Sequence, residues 1–180
     1  MEKNNSKISR ILSLVLRHKP EELGIELDKN GWTDVSTLMQ KLRHRGYVIN
    51  RESLKDIVAT NDKKRFTFDT TNNRIRANQG HSVDVDLELV SEAPPSILYH
   101  GTGSKSLESI MKNGLEKRSR QHVHLSADLD TAIKVGTRHG RVVVLMVDTA
   151  SMSNDGFEFF KSKNDVWLTD NVPSKYLKLC

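Results

Sequence analysis

Four short segments of this 180-residue chain place arginine and histidine where phosphate chemistry could be done. Arg17 and His18 close an apolar stretch just before Pro20. Arg65 ends the run Lys63-Lys64-Arg65, and Arg120 stands four residues ahead of His124 in His122-Val123-His124-Leu125-Ser126. Arginine presents a planar, permanently charged fork of donors that meets phosphate oxygens two at a time. A histidine beside such a fork can bind a phosphate oxygen or hand a proton to one near neutral pH. Together these residues read as a receptor for a phosphate group on which chemistry is done. Taken singly, each has a plainer reading: Arg17 can pair with Glu21 or Glu22, and the lysine run can be a solvated strand entry.

Tyr99-His100-Gly101-Thr102 falls where a strand should give way to a loop. A glycine there would let a ligand approach backbone N–H groups, with His100 and Thr102 adding side-chain hydrogen bonds. His122 and His124, two apart on a strand, share one face, and with His139 or His100 they could hold zinc. No H-E-x-x-H motif or acidic cluster accompanies them, which weighs against a metal. Ser126 or Asp128 is positioned to cap a following helix, whose N-terminus would suit a pyrophosphate. Gly101-Thr102-Gly103 is followed by Ser106, so the G-x-G-x-x-G fingerprint fails, and neither a Walker A sequence nor a G-x-S-x-G elbow occurs.

The elements that must position these groups follow from periodicity. Ile8, Ile11, Leu12 and Val15 repeat at helical spacing behind Ser6, a candidate cap, and Pro20 should end that helix near Arg17-His18. The carbonyl end of the helix favours a protonated imidazole there. Further helices are expected over 35–45, stopped by Gly46, and over 51–60. Phe66 and Phe68 then alternate, Thr70-Thr71-Asn72-Asn73 turns, and Arg74-Ile75-Arg76 returns as a hairpin. Three short helices and a hairpin describe a winged-helix module. Residues 79–95 are acidic and end in Pro94-Pro95, so the domains are drawn as 1–80, a linker 81–95, and 96–180, with an edge strand allowed by the alternation of Val83, Val85, Leu87 and Leu89. The second domain should interleave strands at 97–100, 122–125, 142–147, 157–160 and 166–168 with helices at 106–112 and 128–135.

Composition excludes other classes. No apolar run approaches the roughly 18 residues of a membrane helix, and no basic start precedes a hydrophobic stretch. The lone cysteine, Cys180, rules out an internal disulfide or a cysteine metal site, and a reducing cytoplasm fits. The net charge of +5 is lopsided. Residues 1–80 hold 16 Lys and Arg against 10 Asp and Glu, while 81–180 hold 12 against 13. A basic first half suggests a phosphate-bearing partner, nucleic acid above all.

In order, the blocks LSLVLRHKP, GWTDVSTL, VATNDKKRF, IRANQGHS, LYHGT, HVHLS, GTRHG and DVWLT span nearly the whole chain. They resemble the NAD-dependent RNA 2′-phosphotransferase family. The resemblance implies an α+β chain with an N-terminal winged-helix RNA lobe and a C-terminal ADP-ribosyltransferase-like lobe. It implies removal of an internal RNA 2′-phosphate, of the tRNA splice-junction type, in two steps. The phosphate first displaces nicotinamide from NAD, leaving ADP-ribosylated RNA. The ribose 2″-hydroxyl then attacks that phosphate, freeing 2′-OH RNA and ADP-ribose 1″,2″-cyclic phosphate. By the family motif, Arg17, His18, Arg65 and Arg120 act on the phosphate. The NAD cleft maps to His100, Gly101, Thr102, His124, Ser126 and Val166, with Arg138 beside them. An apolar Val166, where many ADP-ribosyltransferases carry glutamate, makes sense because a phosphate needs no base to become a nucleophile. Lys63, Lys64, Arg76 and His81 are expected to guide the RNA. Asp165 departs from the glycine usual in the family. NAD is implied as co-substrate with no metal, and the chain is expected to be a monomer. Transfer of ADP-ribose to terminal nucleic-acid phosphates or to proteins is the alternative activity. A binding module with a decayed catalytic half is another.

Overall fold

The apolar stripe at Ile8, Leu12 and Val15 is buried along one face of helix α1 (Glu2–Val15) in the computed structural model, which describes residues 2–61 and 63–180. Asp62, inside the VATNDKKRF block, and Met1 lie outside the described residues. The helix begins ahead of Ser6, which therefore sits within it rather than capping it. It is followed by helices α2 (Val35–His44) and α3 (Arg51–Ala59). Asp34 caps α2 by accepting from the Thr37 N–H, and Asn50 and Ser53 form a reciprocal capping box on α3.

The hairpin is present as β2 (Phe66–Phe68) and β3 (Arg74–Ala77), with Phe66 opposite Ala77. Its turn is held by Asp69, whose carboxylate accepts from Thr71, from the Asn73 and Arg74 N–H groups and from the Arg74 guanidinium. A third strand not foreseen from the sequence, β1 (Thr33–Asp34), pairs with β3 to give the order β1-β3-β2. Two residues are too short for alternation to be seen. The core of this unit combines all three helices with Phe66 and Ile75; each such buried side chain contributes roughly 1.5–3 kcal/mol.

The chain divides into two compact units, Met1–Glu88 and Leu89–Cys180. Residues 81–88, expected to begin a linker, instead lie on the first unit. The Ser82 and Val83 N–H groups donate to the Arg17 carbonyl, the Asp86 N–H donates to the Lys29 carbonyl, and Val85 and Leu87 are buried. Their alternation thus serves packing, and no strand forms there.

The second unit centres on β7 (Val142–Asp148), flanked antiparallel by β4 (Ile97–Gly103) and β11 (Leu177–Leu179). A second sheet has the order β6 (Val123–Leu125), β9 (Trp167–Thr169), β8 (Phe160–Lys161). Reciprocal backbone bonds between Tyr99 and Ser126 tie the two sheets together. A two-stranded pair joins β5 (Leu115–Glu116) to β10 (Asn171–Val172). Helices α4 (Leu107–Asn113) and α5 (Leu129–Gly136) fall where the sequence places them, whereas α6 (Thr149–Asn154), capped by Asp148, carries too little pattern to announce itself. The strand expected over 157–160 forms only at Phe160, because Phe159 instead inserts into the core. The molecule is thus mixed α and β, with small antiparallel sheets in both units.

Candidate active site

In the first unit, Arg17 and His18 lie just past the end of α1. The His18 N–H still donates to the Leu14 carbonyl at 2.9 Å, so the pair continues the last turn. A strap running from the end of β3 to residue 82 reaches both sequence segments of interest. Its Asn78 N–H donates to the Arg65 carbonyl at 2.8 Å, and the Asn78 side-chain amide donates to the Lys64 carbonyl at 2.6 Å. Four residues on, the Ser82 N–H donates to the Arg17 carbonyl at 2.8 Å and Ser82 Oγ sits 2.9 Å from His18 Nδ1. Arg65 is also held by Asn61 Oδ1, which accepts from its N–H and from its guanidinium, each at 3.3 Å. Lys64 adopts the left-handed backbone region, φ 41°, and its side chain is exposed.

Two residues expected to guide RNA do not stand on the surface. Arg76 is only 6% exposed: its guanidinium lies 4.5 Å from the Trp32 ring centroid and donates to the Asn30 carbonyl. The fixed planar charge stacks on the indole face and fastens the loop before β1, a structural role. His81 is completely buried, and burial first, then the charges of Arg17, His18 and Arg76, pushes its pKa down to about 4. A neutral, enclosed ring at neutral pH is no phosphate ligand.

In the second unit, His100, Gly101, Thr102, Arg120 and His124 line a cleft of about 340 Å³, together with His122 and His139. His100 Nδ1 lies 3.1 Å from the His124 carbonyl, so Nδ1 carries the proton and donates, leaving Nε2 as the acceptor. Burial, aided by His139 and Arg120, lowers its pKa and keeps the ring neutral. Burial likewise lowers the pKa of His122, whose ring leans on Phe160 at 5.9 Å. The Arg120 guanidinium points toward His124 Nδ1 at 3.5 Å, so the two sit side by side on one wall. Lys117, Arg118 and Ser119 continue that wall, and this basic loop was not anticipated beyond Arg120.

Gly101 serves a purpose different from ligand approach. A Cβ there would fall 1.7 Å from the Ala132 carbonyl oxygen, so the missing side chain lets α5 lie against β4. Gly136 meets the same strand from the helix side, where a Cβ would come within 2.9 Å of the Thr102 N–H nitrogen. Asp128 caps α5, accepting from the Thr131 N–H, with Asp130 in the first turn. Two carboxylates already occupy that positive pole, which makes it a poor seat for a pyrophosphate. Ser126 contributes the backbone bridge to Tyr99, Arg138 is exposed, and Val166 is half-buried with its N–H and carbonyl bonded to Ser162; none of the three lines the cleft. Asp165 has φ 61°, the left-handed region that glycine enters freely and aspartate tolerates, and its carboxylate pairs with Lys161 at 3.1 Å. Among the described residues, no group of three His, Cys, Asp or Glu side chains is disposed to hold a metal ion, and no helix is long and apolar enough to cross a membrane.

A pinned arginine–histidine pair in one α+β unit, and a cleft walled by imidazoles and guanidinium groups in the other, define a class: two-unit proteins equipped for an anionic ligand. The chain belongs to the RNA 2′-phosphotransferase, Tpt1/KptA family, whose model matches residues 3–171. It is 52% identical over 176 residues to a probable RNA 2′-phosphotransferase of Fusobacterium nucleatum, covering 97% of this chain and 98% of that one. A protein of the same name from Flavobacterium johnsoniae is 51% identical over 179 residues, covering 99% and 98%. One from Streptomyces coelicolor is 49% identical over 172 residues, covering 96% and 93%.

Proposed function

We propose that this protein removes an internal 2′-phosphate from RNA by transferring it to NAD. The RNA phosphate displaces nicotinamide, giving ADP-ribosylated RNA, and the ribose 2″-hydroxyl then attacks phosphorus. The products are 2′-OH RNA, nicotinamide and ADP-ribose 1″,2″-cyclic phosphate. The observation that carries this reading is the single cleft wall on which Arg120 and His124 stand beside His100, Gly101 and Thr102. A neutral His100 imidazole, a hydroxyl and a guanidinium suit a nucleotide that is both aromatic and anionic.

The first unit serves, in this proposal, as a winged-helix RNA lobe, and the second as an ADP-ribosyltransferase-like lobe. A phosphomonoester carries about −1.5 to −2 charges near pH 7, and Arg17, Arg65 and Arg120 offset that charge and orient the phosphate. The same guanidinium groups stabilise the charge that builds on the phosphoryl oxygens in the second step. His18 protonates the RNA 2′-oxygen as it leaves. Lys63 and Lys64 steer the RNA backbone.

Incubation with NAD and an oligonucleotide bearing one internal 2′-phosphate tests the reading. The expected outcome is nicotinamide release that depends on the RNA, with conversion of the phosphate to the cyclic product. Absence of RNA-dependent nicotinamide release would defeat it. With labelled NAD, a stable labelled RNA or protein in place of the cyclic product would instead mean ADP-ribosyl transfer without the second step.

A further inference from the structure

We propose that Ser82 is a positioning residue for His18, setting the imidazole for proton delivery in the second step; this rests on the function proposed above. Ser82 holds the Arg17-His18 pair twice. Its N–H donates to the Arg17 carbonyl at 2.8 Å, and its Oγ meets His18 Nδ1 at 2.9 Å, across 64 residues of sequence. The Val83 N–H reinforces the first bond at 3.3 Å, and the completely buried His81 anchors the strap on the other side. Ser82 is itself exposed, so nothing about the core requires a hydroxyl at this position.

The chemistry gives the hydroxyl a task. When His18 is an imidazolium, both ring nitrogens carry protons. Nδ1–H then donates to Ser82 Oγ, which fixes the ring's orientation, and Nε2–H is the proton that the ring gives to the substrate. In the second step the bond between phosphorus and the RNA 2′-oxygen breaks while that to the ribose 2″-oxygen forms. The Nε2 proton passes to the departing RNA oxygen, and the proton of the 2″-hydroxyl is released to solvent. Nicotinamide leaves in the first step without needing a proton, since breaking its bond to the ribose carbon neutralises the pyridinium. A misoriented His18 should therefore slow the second step selectively.

Single-turnover kinetics on Ser82→Ala, Ser82→Thr and His18→Ala would test this, following nicotinamide release and disappearance of ADP-ribosylated RNA as separate steps. Ser82→Ala keeps the backbone bond to Arg17 and is expected to retain the wild-type Tm and KM for NAD. It should slow the second step about tenfold, the size typical of losing a group that orients a reacting side chain. Ser82→Thr, which restores the hydroxyl, should return the rate to within about threefold. A Ser82→Ala second step at full speed, with His18→Ala stalled, would overturn the positioning role alone. Equal loss of both steps with a lowered Tm would overturn it too, as a purely structural effect. Full activity in His18→Ala would instead bring down the functional reading on which it rests. Should kinetics be masked by slow RNA release, imidazole ¹⁵N spectra give an independent readout: the Nδ1 signal of His18 must move in Ser82→Ala and return in Ser82→Thr.

Discussion

His81 shows how far a residue's surroundings can override its type. On an exposed loop it would titrate near 6.5; enclosed beside Arg17, His18 and Arg76 it titrates at about 4. Above pH 6.5 the ring is neutral in both folded and unfolded chains and has no effect on pH dependence. Below that the unfolded chain binds a proton the folded one refuses, so stability falls as pH drops from 6.5 toward 4. The loss is on the order of 3 kcal/mol by pH 4. Urea unfolding of the protein at pH 7 and pH 4.5 should show this decline, and His81→Gln, with no ring to protonate, should flatten it. An unchanged slope in that variant would mean that other groups are responsible. Arg76 makes the complementary point: stacked on Trp32, its charge is spent inside the fold rather than on a ligand.

At the scale of elements, the contact of α5 with β4 sets the shape of the cleft, because β4 carries His100-Gly101-Thr102. Gly101 and Gly136 face one another across that contact with no room for a methyl group on either side. Gly101→Ala places Cβ 1.7 Å from a backbone oxygen that cannot rotate away, so helix and strand must separate. Overpacking of this kind costs about 3 kcal/mol. Thermal unfolding should report a lowered Tm, and NAD affinity should weaken as the wall moves. A Gly101→Ala protein of normal stability would show that the helix shifts freely, and the close approach would then have no consequence.

For the whole molecule, the two units have separate cores, and each carries a small net positive charge: 16 Lys and Arg against 13 Asp and Glu in residues 1–88, and 12 against 10 in residues 89–180. Within the first unit the basic excess lies in residues 1–80, with 16 Lys and Arg against 10 Asp and Glu, and the acidic Asp84, Asp86 and Glu88 follow it. RNA binding should therefore weaken steeply with salt, with a slope of roughly −0.7 in log K per phosphate contact on a single strand. Replacing the exposed Lys64 by alanine should make the slope shallower by about one contact. Fluorescence anisotropy over a salt series measures it, and a flat response would leave the proposed RNA face without support.

Local sequence was enough for the helices of the first unit, the 66–77 hairpin, the strands β4, β6, β7 and β9 of the second unit and the stop of α1 before Pro20. Each has either a strong period or a punctuating residue. Ordered motifs were enough for family membership. Short β1, β5, β10 and β11 escaped because they are formed by partners distant in the chain, and the helix α6 escaped because its 6 residues carry too little period. Side-chain fate escaped for the same reason. Whether Arg76 meets water or Trp32, whether Gly101 admits a ligand or a helix carbonyl, and whether Ser82 touches His18 depend on segments dozens of residues apart. A sequence states which groups exist and how they are spaced along the chain; burial and hydrogen-bond partners are properties of distance in space, and the packed core sets those distances.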